Sequence, residues 1–314
     1  MNKIPFFSVI IPLYNKEQHI EQTLNSVLNQ NFKDFEVIII DDGSTDNSLK
    51  IVKKIEDKRL HIHSQKNCGA AETRNIGIKK AKAKFIALID ADDYWYPNHL
   101  EEHRKSILKF PDCSLFSNAY QLKLLNSNLI DAIYNTPQKT EPHIIEDYFK
   151  ASTIHPIAWT SAITFNKEDF FDLGGFNPKI LSGQDLDLFI RYGLHKTIVF
   201  NPTITCYYDK TVPNSLSKTN HQISKEKLFS SFSADEKTNP SLRHYLILNR
   251  YSLAIQCKLA SNKVTFKKLL PQIDKKHLNI KQRIILKMPK KIVIFMKKLY
   301  FIFIKNGIYI SSYK

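Results

Sequence analysis

Phe85-Ile86-Ala87-Leu88-Ile89-Asp90-Ala91-Asp92-Asp93 decides the architecture. Five apolar residues run without a polar break, and three carboxylates follow within four positions. An unbroken apolar run of that length reads as a strand buried on both faces, as in parallel sheets. The carboxylates therefore emerge where a buried strand ends. If the chain stays extended, Asp90 and Asp92 project to the same side. Carboxylates this crowded repel unless a cation or protons compensate. Hard oxygen ligands suit Mg²⁺ or Mn²⁺, which keep waters and bind substrate phosphates. Helix capping before Pro97, or a solvated acidic loop, is the alternative use of the same residues.

Upstream, the same unit repeats. Phe7 to Leu13, Phe35 to Ile40 and Leu60 to Ser64 read as strands. Between them, Lys16 to Gln30, Ser44 to Glu56 and Ala70 to Ala81 carry helical spacing of apolar residues. This βαβαβαβ order predicts a mainly parallel sheet with right-handed crossovers and helices on both faces. Ligands of such sheets sit at the carboxyl ends of the strands. Tyr14-Asn15, Asp41-Asp42 and Asp90 to Asp93 all fall at such ends.

Downstream of Pro97 the pattern loosens. A helix is expected over Leu100 to Phe110. Strands over Ser114 to Ala119 and Gln121 to Leu125 suggest an antiparallel excursion. Ile144 to Lys150 reads as a short helix, Ala158 to Phe165 as a strand, and Lys167 to Leu173 as a helix ended by Gly174-Gly175. Asp185 to Leu194 is helical, Thr197 to Phe200 and Ile204 to Tyr208 are short strands, and helices alone follow from about Gln222.

Two further clusters carry chemistry. In Asp41-Asp42-Gly43-Ser44-Thr45-Asp46, Gly43 permits a sharp turn and Ser44, Thr45 or Asp46 can cap the next helix. Capping needs one carboxylate, not the Asp41-Asp42 pair, which leaves a carboxylate to accept from a base N–H or a ribose hydroxyl. Arg74, followed by Asn75, is either a bridge between carboxylates and a phosphate or a surface ion pair.

Together these segments resemble the family 2 inverting glycosyltransferases of GT-A fold, of the bacterial cell-surface polysaccharide type. The resemblance rests on Ser8 to Asn15, Glu36 to Asp46, Arg74-Asn75, Asp90 to Asp93, Gly174-Gly175-Phe176-Asn177 and Gln184-Asp185-Leu186-Asp187-Leu188, and it covers residues 5 to 220. It implies a non-processive transfer of sugar from a nucleoside diphosphate, UDP by family tendency, to a saccharide or lipid-linked acceptor. Pro12 and Tyr14 would border the nucleobase, Asp41 and Asp42 would face base and ribose, and Arg74 would lie near the nucleotide. Asp90 would approach ribose or donor sugar, Asp92 would bind Mn²⁺ or Mg²⁺, and Asp185 matches the general base. The chain departs from the family pattern at Gln184, where Glu is usual. It also lacks the Gln-x-x-Arg-Trp of processive members, and Tyr207-Tyr208-Asp209 supplies no histidine before Asn214-Ser215-Leu216-Ser217. Residues 1–220 are expected to form the catalytic domain (1–96 nucleotide-binding, 97–220 acceptor and catalytic), with 221–314 a helical extension.

Charge separates that extension from the rest. The net charge is +16, and eleven Lys or Arg with no Asp or Glu lie between Lys275 and Lys314, so +16 − 11 leaves +5 for the first 274 residues. Large apolar groups interleave with these lysines, which suits an interfacial segment on anionic lipid. A helix closing over the catalytic domain, or a dimer contact, is the alternative. Four widely spaced cysteines without a CxxC pair indicate neither zinc nor a disulfide framework, and suit a reduced compartment. The first residues do not read as a signal peptide, and no stretch of 18 apolar residues occurs. A cytoplasmic enzyme, peripheral on the inner face of the membrane, is expected. The rival is a basic nucleic-acid- or membrane-binding protein on the same scaffold without transferase activity. No nucleic acid is expected, because the charge sits among bulky aliphatic groups rather than along a polar groove. No glycine precedes Gly43, against the glycine-rich first turn of dinucleotide-binding sheets, and GxxxxGK is absent.

Overall fold

The computed structural model describes residues 3–124, 128–212 and 222–305. The first half alternates β1 (Phe7–Leu13), α1 (Ile20–Leu28), β2 (Phe35–Asp41), α2 (Ser48–Lys53), β3 (Leu60–Ser64), α3 (Ala70–Lys80) and β4 (Phe85–Leu88). Strands β3, β2, β1 and β4 pair in that order, all parallel, with Phe7 beside both Phe35 and Phe85. The expected βαβ crossovers are therefore present.

The sheet then changes character. It continues through β5 (Tyr94–Trp95), α4 (His99–Lys109), β6 (Leu115–Lys123), β7 (Leu129–Asp131), β8 (His143–Ile145), α5 (Tyr148–Ala151), β9 (Ile163–Asn166), α6 (Lys167–Asp172), α7 (Gln184–His195) and β10 (Ile198–Asp209). Strand β9 runs antiparallel between β4 and β6, and β6 pairs parallel with β10. The two segments expected around Ser114 and Gln121 are one strand, β6. Those expected at Thr197 and Ile204 are also one strand, irregular between Asn201 and Ile204, where Pro202 lacks an N–H for the ladder. Over Ile144 to Lys150 the helix is shorter than expected. His143–Ile145 pairs with β10, and Asp147 caps α5 by accepting from the Lys150 amide.

Alternation along the strands builds two cores. Val9, Ile11, Val37 and Ile39 face one side with α1 and α4, whereas Ile10, Ile38, Ile40 and Leu88 face the other. On that second side α3 lies close, because Gly77 has no side chain. A Cβ there would stand 2.5 Å from the Ile10 Cγ2 methyl.

The C-terminal helices are α8 (Gln222–Ser231), α9 (Asp235–Thr238), α10 (Pro240–Leu259), α11 (Lys263–Leu269), α12 (Ile280–Lys287) and α13 (Lys290–Lys305). Leu228, Phe229, Leu242, Leu246 and Leu253 belong to the same apolar core as Ile10 and Leu88. The expected division at 220/221 falls at the edge of residues 213–221, which are outside the described ones.

The basic tail divides in two. Leu278 and Leu286 are buried, and Lys258 Nζ donates to the carbonyls of Leu286 and Met288 at the end of α12. Further on, Val293 is buried, but Ile292, Phe295, Met296 and Leu299 are exposed. Among the described residues no helix is long and apolar enough to cross a membrane.

Candidate active site

The carboxyl ends of β1, β2 and β4 open into a cavity of about 660 Å³, closed on the far side by the start of α7 and by α8 and α10. Local chemistry shapes its floor. Asn15, at φ 50°, turns the chain as it leaves β1, and its side-chain oxygen accepts from the Thr45 amide at 2.8 Å. This ties the first strand's exit to the turn after β2. Gly43, at φ 75°, makes that turn possible.

Asp42 lies on the cavity wall, and both its oxygens are engaged. Oδ1 accepts from Gln65 Nε2 at 2.9 Å and the Cys68 amide at 2.8 Å, and Oδ2 accepts from the Gly69 amide at 2.9 Å. Asp42 thus holds the loop that starts α3. Burial, and next the hydrogen bond to Asp42, pushes the Cys68 thiol above its ordinary pKa. Asp41 is buried in the turn, where it accepts from the Ser44 amide, and it is not part of the cavity wall.

Asp90 and its neighbours are organised by Ser161. The Ser161 hydroxyl accepts from the Asp90 amide at 3.0 Å and donates to Asp93 Oδ2, and the Trp95 indole donates to the Ser161 carbonyl. Asp93 is 4% exposed. Burial, and then the charges of Asp92 and Asp90, raise its pKa well above the ordinary carboxylate value. Asp90 accepts from the guanidinium of Arg74, which is itself 6% exposed. Burial alone would lower the Arg74 pKa. Asp90 outweighs it, with help from Asp185 and Asp92, and the net shift is upward. Arg74 also lies over the Phe176 ring, 5.5 Å from its centre. The Asn75 side chain donates to the Phe176 carbonyl and accepts from the Phe176 amide, so the Arg74-Asn75 and Gly175-Phe176 segments are one piece of structure.

Asp185 enters from the opposite wall, in the first turn of α7. Gly183, at φ 91°, starts that helix. Arg191, paired with Asp187, donates to the Gly175 carbonyl and anchors α7 to the Phe176 loop.

Pro12, Tyr14, Asp42, Arg74, Asp90, Asp92 and Asp185 all line this single cavity; Asp41 alone of the expected set does not. Tyr14 is 47% exposed at the rim. The expected turn at Asn214 to Ser217 lies outside the described residues.

Sequence reading missed several wall residues. Lys16, next to Asn15, places its ammonium 2.6 Å from Asp92. Trp159 stands between the cavity and a neighbouring pocket. Helix α10 contributes Asn249, Ser252 and Gln256. The signal for these last three was their spacing: polar residues at i, i+3 and i+7 of a helix share one face.

Among the described residues no cluster of three His, Cys, Asp or Glu side chains is arranged to hold a metal alone. Asp90 is held by Arg74, and Asp93 is buried and engaged by the Ser161 hydroxyl. Asp92 is left to offer a carboxylate, now met by the Lys16 cation. This fits a Mg²⁺ or Mn²⁺ that takes one protein carboxylate and completes its shell with water and phosphate oxygens.

Residues 8–154 match the family model described as Glycosyl transferase family 2. The hyaluronan synthase of Pasteurella multocida is 32% identical over 197 residues, 61% of this chain and 19% of that protein. The UDP-Glc:alpha-D-GlcNAc-diphosphoundecaprenol beta-1,3-glucosyltransferase WfgD of Escherichia coli is 35% identical over 133 residues, 42% of this chain and 51% of that one. Residues 1–349 of Staphylococcus aureus TarS, in complex with UDP-GlcNAc, superpose with a TM-score of 0.68 at 20% identity, covering 86% of this chain and 82% of that one. That likeness shows a shared fold. The matched region spans about half the length, or less, of these two relatives.

Proposed function

We propose that this chain, a family 2 glycosyltransferase of GT-A fold, moves single sugars from a nucleoside-diphosphate sugar to a saccharide acceptor with inversion. One observation carries the reading. Asp92 and the Arg74–Asp90 pair face one cavity with Asp185, which lies 93 residues further along the chain than Asp92.

The chemistry follows from their placement. Asp92 would hold a Mn²⁺ or Mg²⁺, which when bound neutralises charge on the departing diphosphate. Pro12 and Tyr14 border the nucleobase, and Asp42 fixes the loop against which base and ribose rest. Arg74 holds Asp90 toward the ribose or donor sugar. Asp185 takes the proton from the acceptor hydroxyl. The acceptor oxygen bonds to the anomeric carbon as the carbon–phosphate oxygen bond breaks, and the electron pair leaves with the nucleoside diphosphate. Attack opposite the leaving group inverts the centre, and no covalent sugar–enzyme intermediate forms.

A UDP-linked donor is favoured by the donor in the WfgD name. That name also supports a lipid-linked saccharide acceptor in surface polysaccharide assembly. Such an acceptor suits an enzyme resting on the inner membrane face through α13, whose exposed apolar stripe is flanked by lysines. The lack of Gln-x-x-Arg-Trp favours single additions over polymer extrusion.

The test is a panel of nucleotide sugars with Mn²⁺ or Mg²⁺, scored by nucleoside diphosphate release with and without saccharide acceptors. Asp185→Asn should bind donor as the parent does and lose transfer. Undiminished transfer by that variant would remove Asp185 from its role, and no release from any donor would remove the transferase reading.

A further inference from the structure

Asp185 lines a second pocket as well as the large cavity, and so stands on the partition between them. Trp159, Leu186, Asn249 and Ser252 are shared in the same way. The second pocket runs back from this partition toward α5, Phe189 and Tyr245 and holds about 200 Å³. That is less than the roughly 300–1,000 Å³ of pockets for drug-sized ligands. It has room for one small ring.

We propose that this pocket receives the terminal residue of the acceptor, and that it accepts a single uncharged pyranose. The proposal rests on the transferase reading above and adds the acceptor's chemical class. Position is the first argument. A hydroxyl that loses its proton to Asp185 while attacking a donor in the large cavity must approach across this partition. The walls are the second. Tyr148, Trp159, Phe189 and Tyr245 supply flat apolar surface, suited to the C–H face of a sugar ring. Ser152, Asn249 and Ser252 supply hydroxyl and amide groups at intervals around it, the mix of apolar wall and few polar groups that orients a small ligand. Charge is the third. Among the described lining residues Asp185 is the only charged side chain. A uronate or phosphate-bearing terminal residue would bring a second anion beside that carboxylate, with no cation among the described residues lining this pocket to pair with it. Three parts of the chain build the pocket: residues 148–159, the first turns of α7, and one face of α10.

Half-buried Thr153 and Ile154 line only this pocket, away from the donor cavity. Filling it through Thr153→Phe, or through Ile154→Trp as a second route, should raise the acceptor KM by roughly tenfold or more. Donor hydrolysis in the absence of acceptor and UDP binding should stay at the parent's level. With the parent enzyme, neutral alkyl pyranosides (glucoside, galactoside, N-acetylglucosaminide) should include acceptors, and the alkyl glucuronide should turn over roughly tenfold less than the glucoside or not at all. An unchanged acceptor KM in folded, hydrolysing variants, or a preference for the glucuronide, overturns the pocket assignment. If the parent fails to release nucleoside diphosphate from any donor, the transferase reading itself has failed instead.

Discussion

The Lys16 ammonium lies 2.6 Å from Asp92 Oδ2, across 76 residues of sequence, with both side chains four-fifths buried or more. Lys16 is held there by its own backbone, whose amide donates to Ser48 Oγ at 2.7 Å. The site therefore demands positive charge at the point where a diphosphate's cation would sit. On the metal role proposed for Asp92, a divalent ion would compete with Lys16 for one carboxylate, and the freed ammonium could then meet phosphate oxygens. Lys16→Met should therefore bind Mn²⁺ alone about threefold to tenfold more tightly, while weakening UDP by roughly tenfold, the worth of one charge-assisted hydrogen bond. Asp92→Ala should lose the Mn²⁺ titration. Electron spin resonance of free Mn²⁺ and calorimetry with UDP read the two effects separately. Weaker Mn²⁺ binding by Lys16→Met would contradict competition.

Close packing of α3 on β1 makes a second, purely structural prediction. At Gly77 any Cβ meets Ile10 Cγ2 at 2.5 Å and Ile40 Cγ1 at 3.3 Å. Gly77→Ala should destabilise the fold by about 1–3 kcal/mol, despite alanine's higher helix propensity. The same shift would displace Arg74, one turn earlier on α3, so donor binding should weaken with stability. Pairing it with Ile10→Ala, which removes the clashing methyl, should cost less than the sum of the single changes. Urea denaturation of the four proteins closes that cycle, and simple additivity would deny the contact.

Cys68 lies between Asn67 and Gly69 of the cavity wall, at the end where a nucleotide is proposed to bind. Its side chain is exposed, and its sulfur lies 3.4 Å from Asp42 Oδ1. Partial desolvation, and next the hydrogen bond to that carboxylate, raise the thiol's pKa. The thiol form is thus favoured, and the thiolate that reacts with alkylating agents appears only as pH climbs past the ordinary cysteine range. Maleimide labelling should be slow at pH 7 and accelerate steeply above pH 9, and saturating UDP should suppress it. Mass spectrometry of the Cys68 peptide gives the rate. Fast labelling at pH 7, or no protection by UDP, would count against this environment.

The contrast between Asp41 and α10 marks where sequence reading stops. Strand ends were legible because buried parallel strands are continuous apolar runs, and a carboxylate after such a run has nowhere to go but the rim. The order of the motifs then located seven wall residues. Which member of Asp41-Asp42 reaches the cavity was not legible, because it depends on how Gly43 turns and on the loop that Asp42 collects. Helix α10 was legible as a helix. Its polar residues could not be assigned to the cavity, since only tertiary packing against α5 and α7 shows which face meets the sheet and which meets the cleft. Strand β10 looked like two strands because Pro202 interrupts the pattern without ending the pairing with β6.

The tail yields the last prediction, and the structure changes how it must be tested. Removing everything after Asp274 would delete Leu278 and Leu286, which are buried, and the α12 carbonyls that satisfy Lys258. A loss of vesicle binding after that cut could come from unfolding. The groups suited to lipid lie later. Ile292, Phe295, Met296 and Leu299 are exposed at i, i+3, i+4 and i+7 of α13, one face of a helix whose Lys290, Lys291, Lys297 and Lys298 supply the charge. Substituting Phe295→Glu and Leu299→Glu alters that face without touching buried Val293. Each large apolar group inserted in an interface contributes about 1.5–3 kcal/mol, so the pair should lower partition onto phosphatidylglycerol vesicles by at least about a hundredfold. Transfer to a short water-soluble acceptor should be unchanged, because no described residue of α13 lines the cavity. Binding to neutral phosphatidylcholine vesicles should be weak for both proteins, and binding of the parent to anionic vesicles should be weaker at high salt than at low salt. Equal sedimentation of parent and double variant with anionic vesicles would assign this stripe to another role, such as a contact between copies of the chain.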